Sequence, residues 1–249
     1  MGLPVNVELT ESDLVFNRRN CSEFNLIVSS FPKIPRLNED IEEIELDGRN
    51  GSLTIKKGTY RNRNITISFK MLDTYFFWDT LSKIEEWLYN VKDNRLFYDR
   101  QDRCFRVKRV IVGDLAKEVD LYGEFEVTFV CEPFMTDISP ISITLGNMTY
   151  EMDNTKILYN DGDFEVEPRI LIEGNGNIEI IINDAIIQLR DVIDSVEIDT
   201  KLMQVRDSSG ANFSMNMYGD FPTLKKGANK ISYIGNVKNM RIEYTNLYR

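Results

Sequence analysis

Apolar and polar residues alternate along most of this chain, and a period of two predicts β-strands. The clearest case is the segment after Arg63, where one face is apolar and the other is polar; the apolar face comprises Ile65, Ile67, Phe69 and Met71. The same alternation predicts strands at 95–99, 104–112 and 124–132, joined by short polar turns. These segments predict antiparallel strands connected by hairpins.

One segment has the period of an amphipathic helix instead. Between Asp73 and Asn90, an apolar stripe recurs at helical spacing and is formed by Phe77, Leu81, Ile84 and Leu88, with Trp78 and Trp87 at its borders. Asp73 or Thr74 is suited to cap the start of this helix. We expect the stripe to cover a β-sheet.

The strand pattern lapses between Pro133 and Pro140 and then resumes without any helical segment. Short strands at regular spacing, separated by turns such as Gly174 to Gly176, predict a β-sandwich. The sequence therefore predicts a mainly β protein with an N-terminal α+β domain over 1–133 and a C-terminal β-sandwich over 134–249.

Gly48 and Gly51 flank a loop that could be read as a phosphate cradle. Such a cradle requires a helix after the glycines, whereas the alternating segment after Gly51 predicts strand. We interpret the loop as a turn between strands, with a second turn at Lys57 and Gly58.

Basic residues interrupt the strand predicted at 104–112. Arg109 has the same parity as Val107 and Ile111, so a solvated face does not account for all three. Two interpretations remain open: an edge strand protected by charge, or a contact between subunits. Val107, Arg109 and Ile111 are the candidate interface residues.

Composition excludes several function classes. The chain has 40 acidic and 30 basic residues, a net charge of −10, which disfavours gripping nucleic acid. It has no histidine, so Ser-His and Cys-His nucleophile systems are excluded and the commonest zinc ligand is missing. We predict no catalytic residues, no cofactor and no metal.

The cysteines and the N-terminus bear on the compartment. Cys21, Cys104 and Cys131 lie far apart and are odd in number, which indicates reduced core residues made in a cytoplasm. The first residues lack the pattern of a secretion signal, and no stretch has membrane-spanning length, so we expect no membrane insertion.

Several motifs together resemble one known family. In order and spacing, "GRNGSLTI", "YRNRNITISF", "IEEWL", "LFYDRQDRCFRVKRV" and "GEFEVTFVCEPF" are similar to the N-terminal domain of distal tail proteins of long-tailed, siphovirus-type phages and prophages. The second half, with "YNDGDFEVEPRILIEGNGNIEIIIN" and "LKKGANKISYIG", resembles the family's galectin-like, carbohydrate-binding-module-like sandwich.

The resemblance implies a structural virion protein rather than an enzyme. Family members form a hexameric ring, with the N-terminal domains as its belt, that joins the tail tube to the tail-tip proteins at the baseplate. The implied partners are five further copies of the chain, the major tail protein and the tail-tip or tail-associated lysin protein. The short connections after Pro140 leave a receptor-binding protein as an open partner.

A ring also implies a channel through which DNA passes. The acidic segment 113–124 supplies the candidate channel rim, Asp114, Glu118 and Asp120, and its alternative interpretation is an ordinary solvated loop.

Three other interpretations remain. A glycosidase needs only two carboxylates, but the sequence singles out no pair. A sandwich that binds cell-surface polysaccharide needs an exposed aromatic face, for which the candidates are Tyr150, Tyr159, Tyr218, Tyr233 and Tyr244. A tail-like bacteriocin particle would use the same kind of protein as a phage.

Overall fold

The computed structural model describes residues 14–30, 32–72, 77–98, 100–113, 124–146 and 155–249. The chain divides into two compact units, Met1–Ile138 and Ser139–Tyr248. Strand β9 of the first unit passes through Pro133 and ends at Asp137, so the division falls after Ile138. Both units are built mainly from antiparallel strands, as the sequence predicts.

The elements of the N-terminal unit are β1 (Leu14–Phe16), β2 (Arg19–Asn20), a 3-10 helix (Cys21–Phe24), β3 (Leu26–Val28), β4 (Glu39–Glu45), β5 (Ser52–Tyr60), β6 (Arg63–Met71), α1 (Phe77–Tyr89), β7 (Arg95–Tyr98), β8 (Arg103–Val112) and β9 (Glu124–Asp137). The main sheet has the order β2-β1-β7-β8-β9-β6-β3, whereas β4 and β5 form a separate two-stranded sheet.

Helix α1 covers the core of this main sheet. Leu81, Ile84 and Leu88 are buried with the inward residues of β6 and β9, which confirms the predicted apolar stripe. Trp87 is also buried, and its indole N–H donates to the carbonyl of Phe16 at 2.7 Å. Trp78, by contrast, is 69% exposed, so only one of the two tryptophans belongs to the covering face. The predicted cap at Asp73 or Thr74 lies outside the described residues.

The end of the helix is held by one side chain from the β1–β2 turn. The amide of Asn17 donates to the carbonyls of Trp87 and Asn90, both at 2.9 Å. Its oxygen accepts from the N–H groups of Lys92 and Asp93 at 2.8 and 3.1 Å. All the hydrogen-bonding capacity of this amide is therefore spent on fixing the helix terminus to the sheet.

The elements of the C-terminal unit are β10 (Ile141–Gly146), β11 (Lys156–Asn160), β12 (Arg169–Ile182), β13 (Ala185–Val192), β14 (Ser195–Asp199), β15 (Gln204–Asp207), a 3-10 helix (Ser214–Asn216), β16 (Met217–Gly219), β17 (Gly227–Tyr244) and β18 (Leu247–Tyr248).

Two long strands, β12 and β17, run through both layers of this unit. The first half of β12 pairs with β14 and the second half with β13. The two ends of β17 likewise pair with β11 and β10. The layers are therefore β10-β17-β12-β14-β15 and β11-β17-β12-β13-β16, and their inward residues share one core. This is the predicted sandwich, but the turn predicted at Gly174 to Gly176 lies inside β12.

Candidate interaction surfaces

The β4–β5 hairpin has little intramolecular cover from the described residues of the N-terminal unit. We call it the arm, defined as residues 39–60; its two strands pair only with each other in the described part of the chain. Every residue of the two strands is exposed or half-buried. At its base, the backbone N–H of Arg61 donates to the carbonyl of Asn38. The ring of Tyr60 packs edge-on against that of Phe134, with 5.3 Å between the ring centroids. An isolated two-stranded hairpin is at best marginally stable in water, and the described residues of the chain give the arm little further cover.

One face of the arm is apolar. Ile44 lies opposite Leu53 across the hairpin, and Ile55 is the next residue on the same face of β5. Leu53 and Ile55 are 40% and 42% exposed, and Leu46 beside the turn is 44% exposed. Apolar side chains grouped on an exposed hairpin are typical of a surface that another protein covers.

The other feature of the arm is the charge of β4. Five of its seven residues are acidic. Lysines and an arginine at the base of β5 pair with some of them, as in Lys56–Glu39 at 3.0 Å and Arg61–Asp40 at 2.9 Å. Glu43 and Glu45, nearer the turn, form no ion pair with any residue that the structure describes. The outer part of β4 therefore carries unneutralised negative charge.

The loop of the arm is a turn between two strands and not a phosphate cradle. Gly48 and Gly51 have φ of +80° and +83° and connect β4 to β5, so no helix follows the glycines. The predicted second turn at Lys57 and Gly58 is wrong, because β5 continues to Tyr60. Gly58, with φ of +73°, instead lies where the pairing register shifts between Glu39 and Ile41.

Strand β8 has two different halves. Its first half lies between β7 and β9, with Phe105 paired to Leu96 on one side and to Met135 on the other. Beyond Val107, whose N–H donates to the carbonyl of Asn94, the pairing continues only with β9 in the described residues. We call Lys108–Val112 the β8 edge. The prediction of an edge strand is therefore wrong for the first half of β8 and correct for the β8 edge.

The candidate interface residues Val107, Arg109 and Ile111 do not share a face. The register between β8 and β9 shifts between Val107 and Arg109, because Lys108 is an extra residue in β8. Val107 is 5% exposed in the core, whereas Arg109 and Ile111 point outward and Ile111 is 44% exposed. Val107 is thus a core residue. The rim candidates Asp114, Glu118 and Asp120 lie outside the described residues.

Titratable groups in the N-terminal unit serve its internal structure. Hydrogen bonds from Arg95, at 2.9 Å from Nε to Oδ1, lower the pKa of Asp93 to about 2. Burial raises the pKa of the Cys131 thiol to about 12 and also raises that of Cys104. All three cysteines are free and buried, as predicted, and the thiols of Cys104 and Cys131 stay protonated at neutral pH.

The described residues hold no group of three or more Cys, Asp or Glu side chains placed to bind a metal ion. No helix within the described ranges is long and apolar enough to cross a bilayer.

Two of the five aromatic candidates for a sugar site are buried. Tyr233 and Tyr244 are 4% exposed, and the hydroxyl of Tyr244 donates to the carbonyl of Tyr159 at 2.7 Å. Tyr150 lies outside the described residues. Tyr159 and Tyr218 remain exposed, and the guanidinium of Arg190 covers the Tyr218 ring at 4.3 Å from its centroid.

The architecture matches a protein of known structure along almost its full length. SPP1 Dit (gp 19.1), described as a paradigm of the hub adsorption apparatus in phages infecting Gram-positive bacteria, aligns with a TM-score of 0.62. The alignment covers 95% of this chain and 99% of that one at 12% sequence identity. This chain has the fold of a phage distal tail protein. The resemblance read from the sequence is thereby confirmed at the level of the fold.

Two weaker alignments are with the phage P2 baseplate in its activated conformation. The calcium form aligns with a TM-score of 0.40 and 9% identity over 87% of this chain and 89% of that one. The strontium form aligns with a TM-score of 0.40 and 8% identity over 85% and 87%. No protein-family model matches the sequence, and no curated protein matches it significantly.

Local patterns in the sequence do not predict the exposed arm. Its β4 strand, "EDIEEIE", carries only two apolar residues, so alternation gives a weak signal there. The usable signal was the density of acidic residues directly before a glycine-flanked turn.

Proposed function

We propose that this protein is the hub at the distal end of a phage tail, a structural protein without catalytic activity. In this proposal six copies form a ring that joins the tail tube to the tail-tip and baseplate proteins used for host attachment and genome delivery. Its location is the virion, after synthesis in the cytoplasm of the bacterial host.

The support from the fold is the end-to-end match with SPP1 Dit, which includes both units. A fold by itself does not define a function. The composition adds the absence of histidine, and the buried, protonated thiols offer no nucleophile. These features favour assembly over catalysis.

The observation that carries the proposal of self-assembly is the arm. Its exposed Leu53 and Ile55 would be covered in an oligomer, and its two strands would gain a third strand or a packed surface. A ring of identical subunits supplies such a surface at every arm.

Mass photometry of the purified chain tests the proposal. We expect a species with six times the mass of one chain, or a pair of stacked rings, and ring-shaped particles in negative-stain images. A variant in which a short Gly-Ser linker replaces residues 40–59 should remain folded but monomeric. A wild-type chain that stays monomeric at all concentrations and salt levels would falsify the ring.

A second assay addresses the partners. Co-expression with the major tail protein and with the tail-tip protein of the same genome should give complexes that co-purify. Failure of the hexamer to bind either one contradicts the hub assignment even if the ring forms.

The alternative function, attachment to cell-surface polysaccharide through the C-terminal unit, has narrower support. It depends on Tyr159 and Tyr218, because the buried tyrosines cannot offer a ring face to a sugar. Binding of the isolated host polysaccharide that Tyr218→Ala abolishes would favour this alternative.

A further inference from the structure

Two strand edges in the N-terminal unit have no partner strand among the described residues, and they carry opposite charge. The first is the β8 edge, which contains Lys108 and Arg109. Neither cation forms an ion pair within the described part of the chain. The second is the outer edge of β4, with Glu43 and Glu45 equally unpaired there.

The backbone of the β8 edge is oriented to accept another strand. Gly113 N–H donates to the carbonyl of Glu126 on β9 at 3.1 Å. The hydrogen-bonding direction of the backbone alternates along an antiparallel strand. The backbone N–H and C=O groups of Arg109 and Ile111 therefore also face β9, although their side chains point outward. The N–H and C=O groups of Val110 and Val112 therefore point away from β9, toward the open side.

A neighbouring strand would also bury apolar side chains of the β8 edge. Val110 and Val112 are half-buried and pack against the N-terminal core from its margin. Ile111 projects from the opposite face at 44% exposure. In a single chain, the described residues leave these side chains partly in water. An added strand would bury Val110 and Val112 on one face and Ile111 on the other.

Charge decides which strands can pair. Two β4 edges would place carboxylates opposite one another, and two β8 edges would place ammonium and guanidinium groups opposite one another. Like charges directly across a strand pair are destabilising, and charged edges in general prevent self-pairing. Of the pairings between these two edges, only β4 against β8 brings opposite charges together.

We propose that β4 of one copy adds as a strand to the β8 edge, Lys108–Val112, of the next copy. The proposal rests on the self-assembly put forward above and defines its contact. Since the two surfaces differ, the contact is heterologous, and a heterologous contact gives a ring when its rotation closes after six copies. Each copy then donates one arm and receives one.

Paired charge reversals test the contact. In the first variant, Lys108→Glu and Arg109→Glu make both edges acidic. In the second, Glu43→Lys and Glu45→Lys make both edges basic. We expect each variant alone to lose the ring in mass photometry, because every β4–β8 contact becomes repulsive.

The two variants mixed in equal amounts should recover the ring. Each basic β4 then meets an acidic β8 edge, and each acidic β4 meets a basic one, in an alternating ring. The matched control for the first variant is Lys201→Glu with Lys238→Glu. It makes the same charge change at exposed positions of the C-terminal unit and should leave the ring intact.

A thiol cross-link provides an independent measurement. In the double variant Glu43→Cys and Arg109→Cys, a short bifunctional thiol reagent should produce a ladder of covalent oligomers up to the ring. The native cysteines are at most 1% exposed, so they should not react in the folded chain. The two single-cysteine variants should give no ladder.

The outcomes separate this inference from the proposed function. Rings that persist in both charge-reversed variants, or rings without a cross-link ladder, overturn the β4–β8 contact and leave the hub standing. The contact is also overturned when the separate variants are monomeric and their mixture stays so. A monomeric wild-type chain overturns both.

Discussion

Val107 and Ile111 are apolar residues of the same strand with opposite surroundings. Val107 is 5% exposed within the N-terminal core, whereas Ile111 is 44% exposed on the outer face. The extra residue at Lys108 shifts the register against β9, so inward and outward positions exchange beyond it. A single bulge thus decides which of two similar residues is available to a partner.

We predict that aspartate has different effects at the two positions. Val107→Asp should lower the free energy of unfolding by about 3 kcal/mol or more, because a carboxylate would be buried without a partner. Ile111→Asp should change it by less than about 0.5 kcal/mol while preventing ring formation. Urea unfolding followed by tryptophan fluorescence measures the first effect, since Trp78 and Trp87 both lie in helix α1. Mass photometry measures the second.

Ile157→Asp in the C-terminal unit is the matched control, because Ile157 is 61% exposed on β11. It should leave both stability and ring mass unchanged. A Val107→Asp chain as stable as the wild type would contradict the placement of this residue in the core. An Ile111→Asp chain that still forms rings would show that this side chain lies outside the contact.

At the scale of elements, the sandwich depends on how β12 and β17 bend. Gly174 and Gly235 lie where their pairing register shifts. A Cβ on Gly174 would lie 2.4 Å from the carbonyl oxygen of Asn236, and one on Gly235 2.5 Å from that of Asn177. The two backbones thus approach too closely for any side chain, and this approach lets both strands pass from one layer to the other.

We predict that Gly235→Ala destabilises the C-terminal unit by roughly 2–5 kcal/mol, combining overlap with its positive φ of +117°. Gly176→Ala is the matched control: its φ is +82° but no atom lies within 4 Å of the added Cβ, so it should cost roughly 1–2 kcal/mol. Urea unfolding followed by far-ultraviolet circular dichroism gives both values. Equal costs for the two variants would show that the close approach does not constrain the bend.

At the scale of the whole molecule, charge limits what a ring could hold. A net charge of −10 per chain is repeated six times in the proposed assembly. Nucleic-acid binding depends on neutralising phosphates with basic side chains and releasing counterions. The acidic segment 113–124 remains the predicted channel rim.

We therefore predict no binding of duplex DNA tighter than roughly 10⁻⁴ M at physiological salt, the weak end of non-specific binding. Fluorescence anisotropy of labelled DNA with the assembled ring measures this. Changing Asp114, Glu118 and Asp120 to Lys should create salt-dependent binding if the segment lines the channel. The control is the same change at Asp161, Glu165 and Glu167, which lie in the C-terminal unit.

Tight binding by the wild-type ring contradicts the prediction of a channel that does not retain DNA. Equal binding by the two lysine variants would remove segment 113–124 from the rim while leaving the ring itself unaffected.

Much of the fold follows from local patterns in the sequence. The alternation of Ile65, Ile67 and Phe69 predicts the strand and its buried face, and the stripe of Leu81, Ile84 and Leu88 predicts the covering helix. These features are local because side-chain direction repeats every two residues in a strand and every 3.6 in a helix. The buried cysteines and the β-rich second half were predictable for the same reason.

The turn predicted at Gly174 to Gly176 is instead a bend inside β12, a strand of 14 residues. A glycine permits both a turn and a close approach, and only the neighbouring strand determines which occurs. Val107 likewise belongs to the core because an extra residue in β8 shifts the register of its pairing with β9. Local periodicity does not reveal this shift.

By itself, the sequence determined the elements, their buried faces and the absence of histidine chemistry. The tertiary structure decided which edges lack a partner: within the described residues, β7 lies beside only half of β8, and β4 pairs with β5 alone. Strand pairing joins residues distant in the chain, so local periodicity carries no information about which partner is missing. The acidic arm and the basic β8 edge are therefore visible as complementary surfaces only in the folded molecule.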